Sequence, residues 1–311
     1  MYVIKEGEVQ DENSTLCDFS SWQTLFKTNG KVAWIDNKDI LRWYQAEKDL
    51  GIVEAVAGGN KNALQWFLEQ GNVEVQKRYL QNIRYDNDMV GTLKYAQGDY
   101  AGFGWSLLNT AAFCGQPDMV EFLIRKVGMD PNTECFGIYP ISCCFVSFHA
   151  EDNTYNPQRI AAAAKFLELG TSPDKGCTAY GKNNTPSNMI PLFQACHIPD
   201  SGSRGKALEL LVEYMREKNS NFETLDNLGR NALHHLIITS QKAGQTFQDF
   251  IHHIELLVAA GVDPLQKNNE RLAPGDLINN PAQKEIFRQT VVNALGDKDV
   301  DEKGKFEGFT I

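Results

Sequence analysis

Seven cysteines and six histidines are the residues of this chain best suited to chemistry. Cys143, Cys144 and His149 stand close enough in sequence for a metal site or a Cys/His nucleophile, and Cys196 and His197 form a second such pair. Adjacent helical residues point roughly 100° apart, so Cys143 and Cys144 do not readily face one ion. No C-x-x-C pair exists from which to build a zinc site. These cysteines therefore read as small buried helix residues, and no metal or cofactor is expected. His252 and His253 read the same way, as one packed ring and one solvated ring. Asp130, Asp226 and Asp263 occupy turn sequences, where a carboxylate caps backbone N–H groups. The strings Gly102-Phe103-Gly104 and Gly202-Ser203-Arg204-Gly205 follow no strand pattern and lack a P-loop lysine, so both read as turns. There is no G-x-S-x-G, H-E-x-x-H or kinase signature. If the chain is an enzyme, its site comes from inserted loops around Cys143, His149 and Cys177.

The elements that must position these residues show themselves as a repeat. From Gly104 the sequence GWSLLNTAAFCGQPDMVEFLIRKVGMDPN gives two short amphipathic helices with small or apolar residues at i, i+3 and i+4. Ala111 and Ala112 allow close helix approach, Gly115 suits the turn between the helices, and Gly128 suits the end of the second. The pattern recurs in GIYPISCCF from Gly137 with the helix from Ile160, and in MIPLFQACH from Met189 with the helix from Lys206. It recurs again in DNLGRNALHHLI from Asp226 with the helix from Phe250. Weaker copies start at Ile52 and Leu272.

Gly104, Leu108, Ala111, Ala112, Gly115, Val120, Leu123, Gly128 and Asn132 fall where the ankyrin consensus has matching residues, and the whole segment resembles an ankyrin repeat. The resemblance implies an all-α solenoid of about five to six irregular helix-turn-helix repeats, each burying its apolar face only by stacking on a neighbour. Residues 1–50 are then expected to form a helical cap, with helices over 20–28 and 37–49, residues 51–295 the repeat domain, and residues 296–311 a disordered tail. The turns after Phe145, His197 and Thr239 are stretched, the first by about ten residues, and a long connection runs from Asn72 to Gly98.

The same resemblance implies a function. Ankyrin fingers and the exposed side of the first helices line a concave face that grips partner proteins. Phe103, Trp105 and Phe113 stand at such positions in one copy, Phe136 and Ile138 in the next, and Asn227, Leu228 and Arg230 in a later one. An alternative is that the aromatic cluster Tyr95, Tyr100, Phe103, Trp105, Phe136 and Tyr139 packs on the Asn72 to Gly98 connection and covers it. The family's histidine, here His234, implies a hydrogen bond to the backbone of a neighbouring turn.

Composition narrows the partner. With 30 basic against 40 acidic residues the formal net charge is -10, which repels phosphate backbones and anionic lipid. Nucleic acid and membrane surfaces are not expected, nor is a membrane span or a secretory leader. An odd number of sparse cysteines points to a reducing, cytoplasmic setting. The acidic tail with apolar residues at its end resembles the export signals of effectors that intracellular bacteria inject into host cells. A monomeric scaffold or adaptor is the reading that results.

Overall fold

The structure, a computed structural model, describes residues 51–83, 105–135, 137–146, 155–174, 177–180, 186–242 and 245–296. The expected helices before residue 51 and the tail beyond residue 296 lie outside them. Ten helices carry labels here: α1 (Lys61–Glu69), α2 (Val73–Asn82), α3 (Leu107–Cys114), α4 (Pro117–Phe122), α5 (Gln158–Glu168), α6 (Pro191–Ala195), α7 (Ser201–Glu217), α8 (Ala232–Ser240), α9 (Ile251–Ala259) and α10 (Pro281–Leu295). Three 3₁₀ turns, Pro140–Cys144, Phe247–Phe250 and Pro274–Leu277, stand among them. One antiparallel hairpin joins β1 (Cys177–Tyr180) to β2 (Pro186–Met189), pairing Cys177 with Met189.

The helices form two layers. In the first, α3, the Pro140–Cys144 turn, α6, α8 and the Pro274–Leu277 turn pack in sequence order, each on the next. In the second, α1, α4, α5, α7, α9 and α10 do the same. A single apolar core runs between the layers from Ile52 to Val291. No single pair could close that core alone, which is why the helices can be so short. The fold is the expected all-α repeat solenoid.

Local chemistry sets the ends of these helices. Ser106 and Asn109 form a reciprocal capping box at the start of α3, and Asn231 and His234 form one at the start of α8. Gly115 and Gly128 close α3 and the π-helical extension of α4 at φ 69° and 80°, the left-handed geometry expected of both.

Three local readings change. Asn72 does not open a loop: its side chain accepts from Glu74 N and Val75 N and caps α2, which docks on α1 and on the end of α4, with Gln81 Nε2 donating to Val127 O at 2.8 Å. Gly202 to Gly205 are no turn but the first turn of α7, capped by the Asp200 carboxylate, which accepts from Ser203 N. The segment from Pro140 winds as a 3₁₀ turn rather than an α-helix.

Candidate protein-binding face

Two consecutive turns protrude ahead of α8 and of the Pro274–Leu277 turn, and one bonding scheme builds both. In the first, Asp226 N donates to Arg230 O at 2.9 Å, while the Asp226 carboxylate accepts from Leu228 N and Arg230 N, each at 2.8 Å. In the second, Asn268 N donates to Leu272 O at 3.0 Å, and Asn268 Oδ1 accepts from Glu270 N at 2.9 Å and Leu272 N at 3.0 Å. Residues 226–230 and 268–272 are thus the same finger in successive repeats.

The fingers are bound to each other. Asn269 N donates to Leu228 O at 2.9 Å and Asn269 Nδ2 to Asn227 O at 3.1 Å. Behind them, His234 Nε2 reaches Leu272 O at 3.0 Å and Asn231 Nδ2 donates to Asp263 O at 2.7 Å. The expected role of His234, a bond to the backbone of a neighbouring turn, is what the geometry shows. Asp130 and Asp263 also cap their turns, accepting from Asn132 N and Leu265 N.

A buried polar network underlies the first finger. The Asp226 carboxylate receives Arg230 Nε at 2.7 Å and a second guanidinium nitrogen at 2.6 Å, with His235 Nε2 at 3.3 Å. The histidine contact is long and poorly aligned, so we count it as a weak one. Burial alone would raise the Asp226 pKa, but the adjacent His235 ring and the hydrogen bonds from Arg230 outweigh it and hold the carboxyl far below the usual range. His235 stacks on Phe193 at 4.7 Å and faces His197, Nδ1 to Nε2, at 2.9 Å, and His197 Nδ1 lies 2.7 Å from Thr239 Oγ1. Burial lowers the pKa of both rings, so both are neutral at pH 7. Assigning protons by the network, the Thr239 hydroxyl donates to His197, His197 to His235, and His235 points its N–H at Asp226. The Thr239 hydroxyl, itself buried, also lies 3.1 Å from the His235 carbonyl, and the chain of bonds ties the end of α6 to α8. Sequence reasoning missed it, because His197 and His235 lie 38 positions apart.

Among the described cysteines, all but the half-buried Cys114 are buried. Cys143, Cys144 and Cys196 are fully buried, and burial pushes the thiols of Cys143 and Cys196 up to about 12 and that of Cys177 to about 11. Cys196 Sγ donates to Leu192 O and Ala232 O, not to His197. Thiols held protonated in this way are poor nucleophiles. His149 lies outside the described residues, and among those residues no three His, Cys, Asp or Glu side chains gather as a metal site.

The residues expected to grip a partner separate into three groups. Phe103 and Phe136 lie outside the described residues. Trp105 and Phe113 are buried against each other, rings edge to face at 5.3 Å, with the Arg159 guanidinium 3.9 Å over Phe113. Neither ring faces solvent: the Arg159 guanidinium from α5 covers Phe113, and Trp105 packs edge to face on Phe113. Ile138 is half-buried, paired with Cys135 in a small turn. Arg230 is spent on Asp226, whereas Asn227 and Leu228 are exposed at the finger tip, Leu228 by 47%. Among the described residues no helix is long and apolar enough to cross a membrane.

The ankyrin-repeat family model matches residues 103–133. No curated protein sequence matches the chain. Among solved structures, an ankyrin-repeat domain from Acinetobacter baumannii AYE is 17% identical, the alignment covering 78% of this chain and 96% of that one with a TM-score of 0.48. The ankyrin-repeat domain of Bcl-3, of the IkappaB family, is 15% identical over 76% of this chain and 96% of its own, with a TM-score of 0.45. A chain from the complex of the predatory endopeptidase Bd0816 of Bdellovibrio bacteriovorus with immunity protein Bd3460 is 17% identical over 81% and 98%, with a TM-score of 0.47. The matched repeat and the stacking of further helix pairs on it in two layers lead to one statement: the chain carries an ankyrin repeat at residues 103–133 within an all-α repeat solenoid.

Proposed function

We propose that the chain is a scaffold or adaptor that docks one protein partner on the fused fingers 226–230 and 268–272 and on the adjoining face of the first helix layer. Ankyrin repeats in general serve as protein–protein interaction modules. The observation that carries the reading here is Leu228, a large apolar side chain 47% exposed at the tip of a turn fixed by Asp226 and by Asn269 of the next repeat. An apolar group held rigidly in water loses little entropy on binding and gains the burial of its surface. Asn227 and Ile138 belong to the same proposed face. Buried free thiols fit a reducing compartment as its setting.

The test is affinity capture from a eukaryotic lysate with the full chain as bait, beside Leu228→Arg, with bound proteins identified by mass spectrometry. We expect a partner that the variant loses and that Leu228→Met retains, at unchanged melting temperature. A set of bound proteins identical for all three baits would refute the finger-tip site.

A further inference from the structure

The two fingers differ at one position in a way that their shared bonding makes plain. The residue that must turn left-handed is Gly229 in the first finger, at φ 73°, and Arg271 in the second, at φ 65°. Glycine adopts that conformation freely, whereas an L side chain there crowds the following carbonyl. The second finger therefore keeps a strained residue where the first shows that glycine serves the turn. Strain of this kind persists where the surrounding structure over-determines it, as it does here: Arg271 N donates to Asn268 O, and Asn268 clamps both sides of the turn.

Fold stability gives no reason for this arginine. Its side chain is exposed and takes part in no ion pair among the described residues, unlike Arg230, which is bound to Asp226. Lys267, four positions earlier, is exposed and unpaired as well. Glu270 is the one acid exposed on this turn, so Lys267 and Arg271 leave a local excess of one positive charge at the tip of a chain of net charge -10. The bond from Asn269 N to Leu228 O joins the exposed leucine to the same tip.

Resting on the docking face proposed above, we propose that the tip recognises a partner segment bearing a carboxylate beside an apolar side chain. The planar guanidinium of Arg271 takes the carboxylate through paired N–H donors, Lys267 adds positive charge, and Leu228 covers the apolar neighbour. The turn fixes the Arg271 backbone, and with it the origin of the side chain, before the partner arrives. Repulsion by the chain's remaining negative charge is screened beyond about 8 Å at physiological salt, so it acts weakly against a contact of this range.

A display library of short random peptides, panned on the full chain, supplies the probe. The selected peptides are then titrated by fluorescence anisotropy against wild type, Arg271→Glu, Arg271→Gly and Leu228→Arg. We expect a selected motif with Asp or Glu next to an apolar residue, and binding weakened about tenfold or more by Arg271→Glu, the equivalent of about 1.4 kcal/mol for one charge-assisted contact. Arg271→Gly should also weaken binding while raising the melting temperature by a few degrees. A motif without acids, or binding indifferent to Arg271→Glu, overturns acid recognition. If Leu228→Arg still abolishes that binding, the docking face survives. Peptides indifferent to both positions, or a selection that returns none, refute both readings. A lower melting temperature for Arg271→Gly removes the premise that the arginine strains the fold.

Discussion

Replacing Gly115 by alanine tests how closely successive repeats approach, and Gly170 supplies the control. Both glycines follow helices of the stack, at φ 69° and 86°. A Cβ on Gly170 would meet nothing within 4 Å, so Gly170→Ala isolates the backbone effect. That effect is the left-handed penalty of about 1–2 kcal/mol, reduced by about 0.4–1 kcal/mol because alanine restricts the unfolded chain. The net loss should be near 1 kcal/mol. A Cβ on Gly115 would lie 2.9 Å from Arg159 N and from the carbonyl carbon and Cβ of Gln158. These are backbone or near-backbone atoms at the start of α5, and they move only if the next repeat moves. Overpacking against such atoms adds about 1–3 kcal/mol, so Gly115→Ala should lose about 2–4 kcal/mol in all. Urea unfolding with a common m value reads both losses. Losses equal to within about 0.5 kcal/mol would show that the repeats give way and that the tight approach is not a constraint.

Two further outcomes follow from buried charge. Burial, with Arg204 and His252 adding to it, lowers the pKa of His253 to about 4, below the ordinary value near 6.5, so between those values the unfolded chain binds more protons than the folded one. Its contribution is complete above about pH 6.5 and declines as the pH falls towards 4, with a loss of about 2 kcal/mol at pH 5. His197 and His235 act in the same sense. A melting temperature as high at pH 5 as at pH 7 would contradict this. Arg204 is fully buried, its guanidinium 3.9 Å over the Phe250 ring, with Nη1 donating to Ile198 O at 2.8 Å, Nε donating to His253 Nδ1 at 3.4 Å and Nη2 unpartnered. With no carboxylate bound to it, Arg204→Met removes a buried charge but also the donors to Ile198 O and His253 Nδ1, so a loss of about 1–3 kcal/mol is expected in a thermal or urea melt, and a gain in stability would show that those two bonds contribute little.

What the sequence determined was local. The helix pairs, the left-handed turns at Gly115 and Gly128, the caps at Asp130, Asp226 and Asp263, and the place of His234 depend on residues a few positions apart. Their spacing alone specifies them, and the repetition of that spacing implies stacking. The outcome for His252 and His253 was legible for the same reason: the His253 ring is buried and the His252 side chain is 69% exposed. Tertiary structure decided everything that depends on who meets whom. Trp105 and Phe113 had the residue types of interface anchors, yet they pack on each other and Arg159 from the next repeat covers Phe113. Cys196 and His197 are adjacent in sequence and point to different partners, while His197 and His235 come together only when α6 packs beside α8. The second finger was hidden because its defining residues are changed: Asn268 replaces the aspartate and Arg271 the glycine. Hydrogen bonds specify a turn by the geometry of acceptor and donor, which several residue types can supply, so that finger became visible only through its bonds.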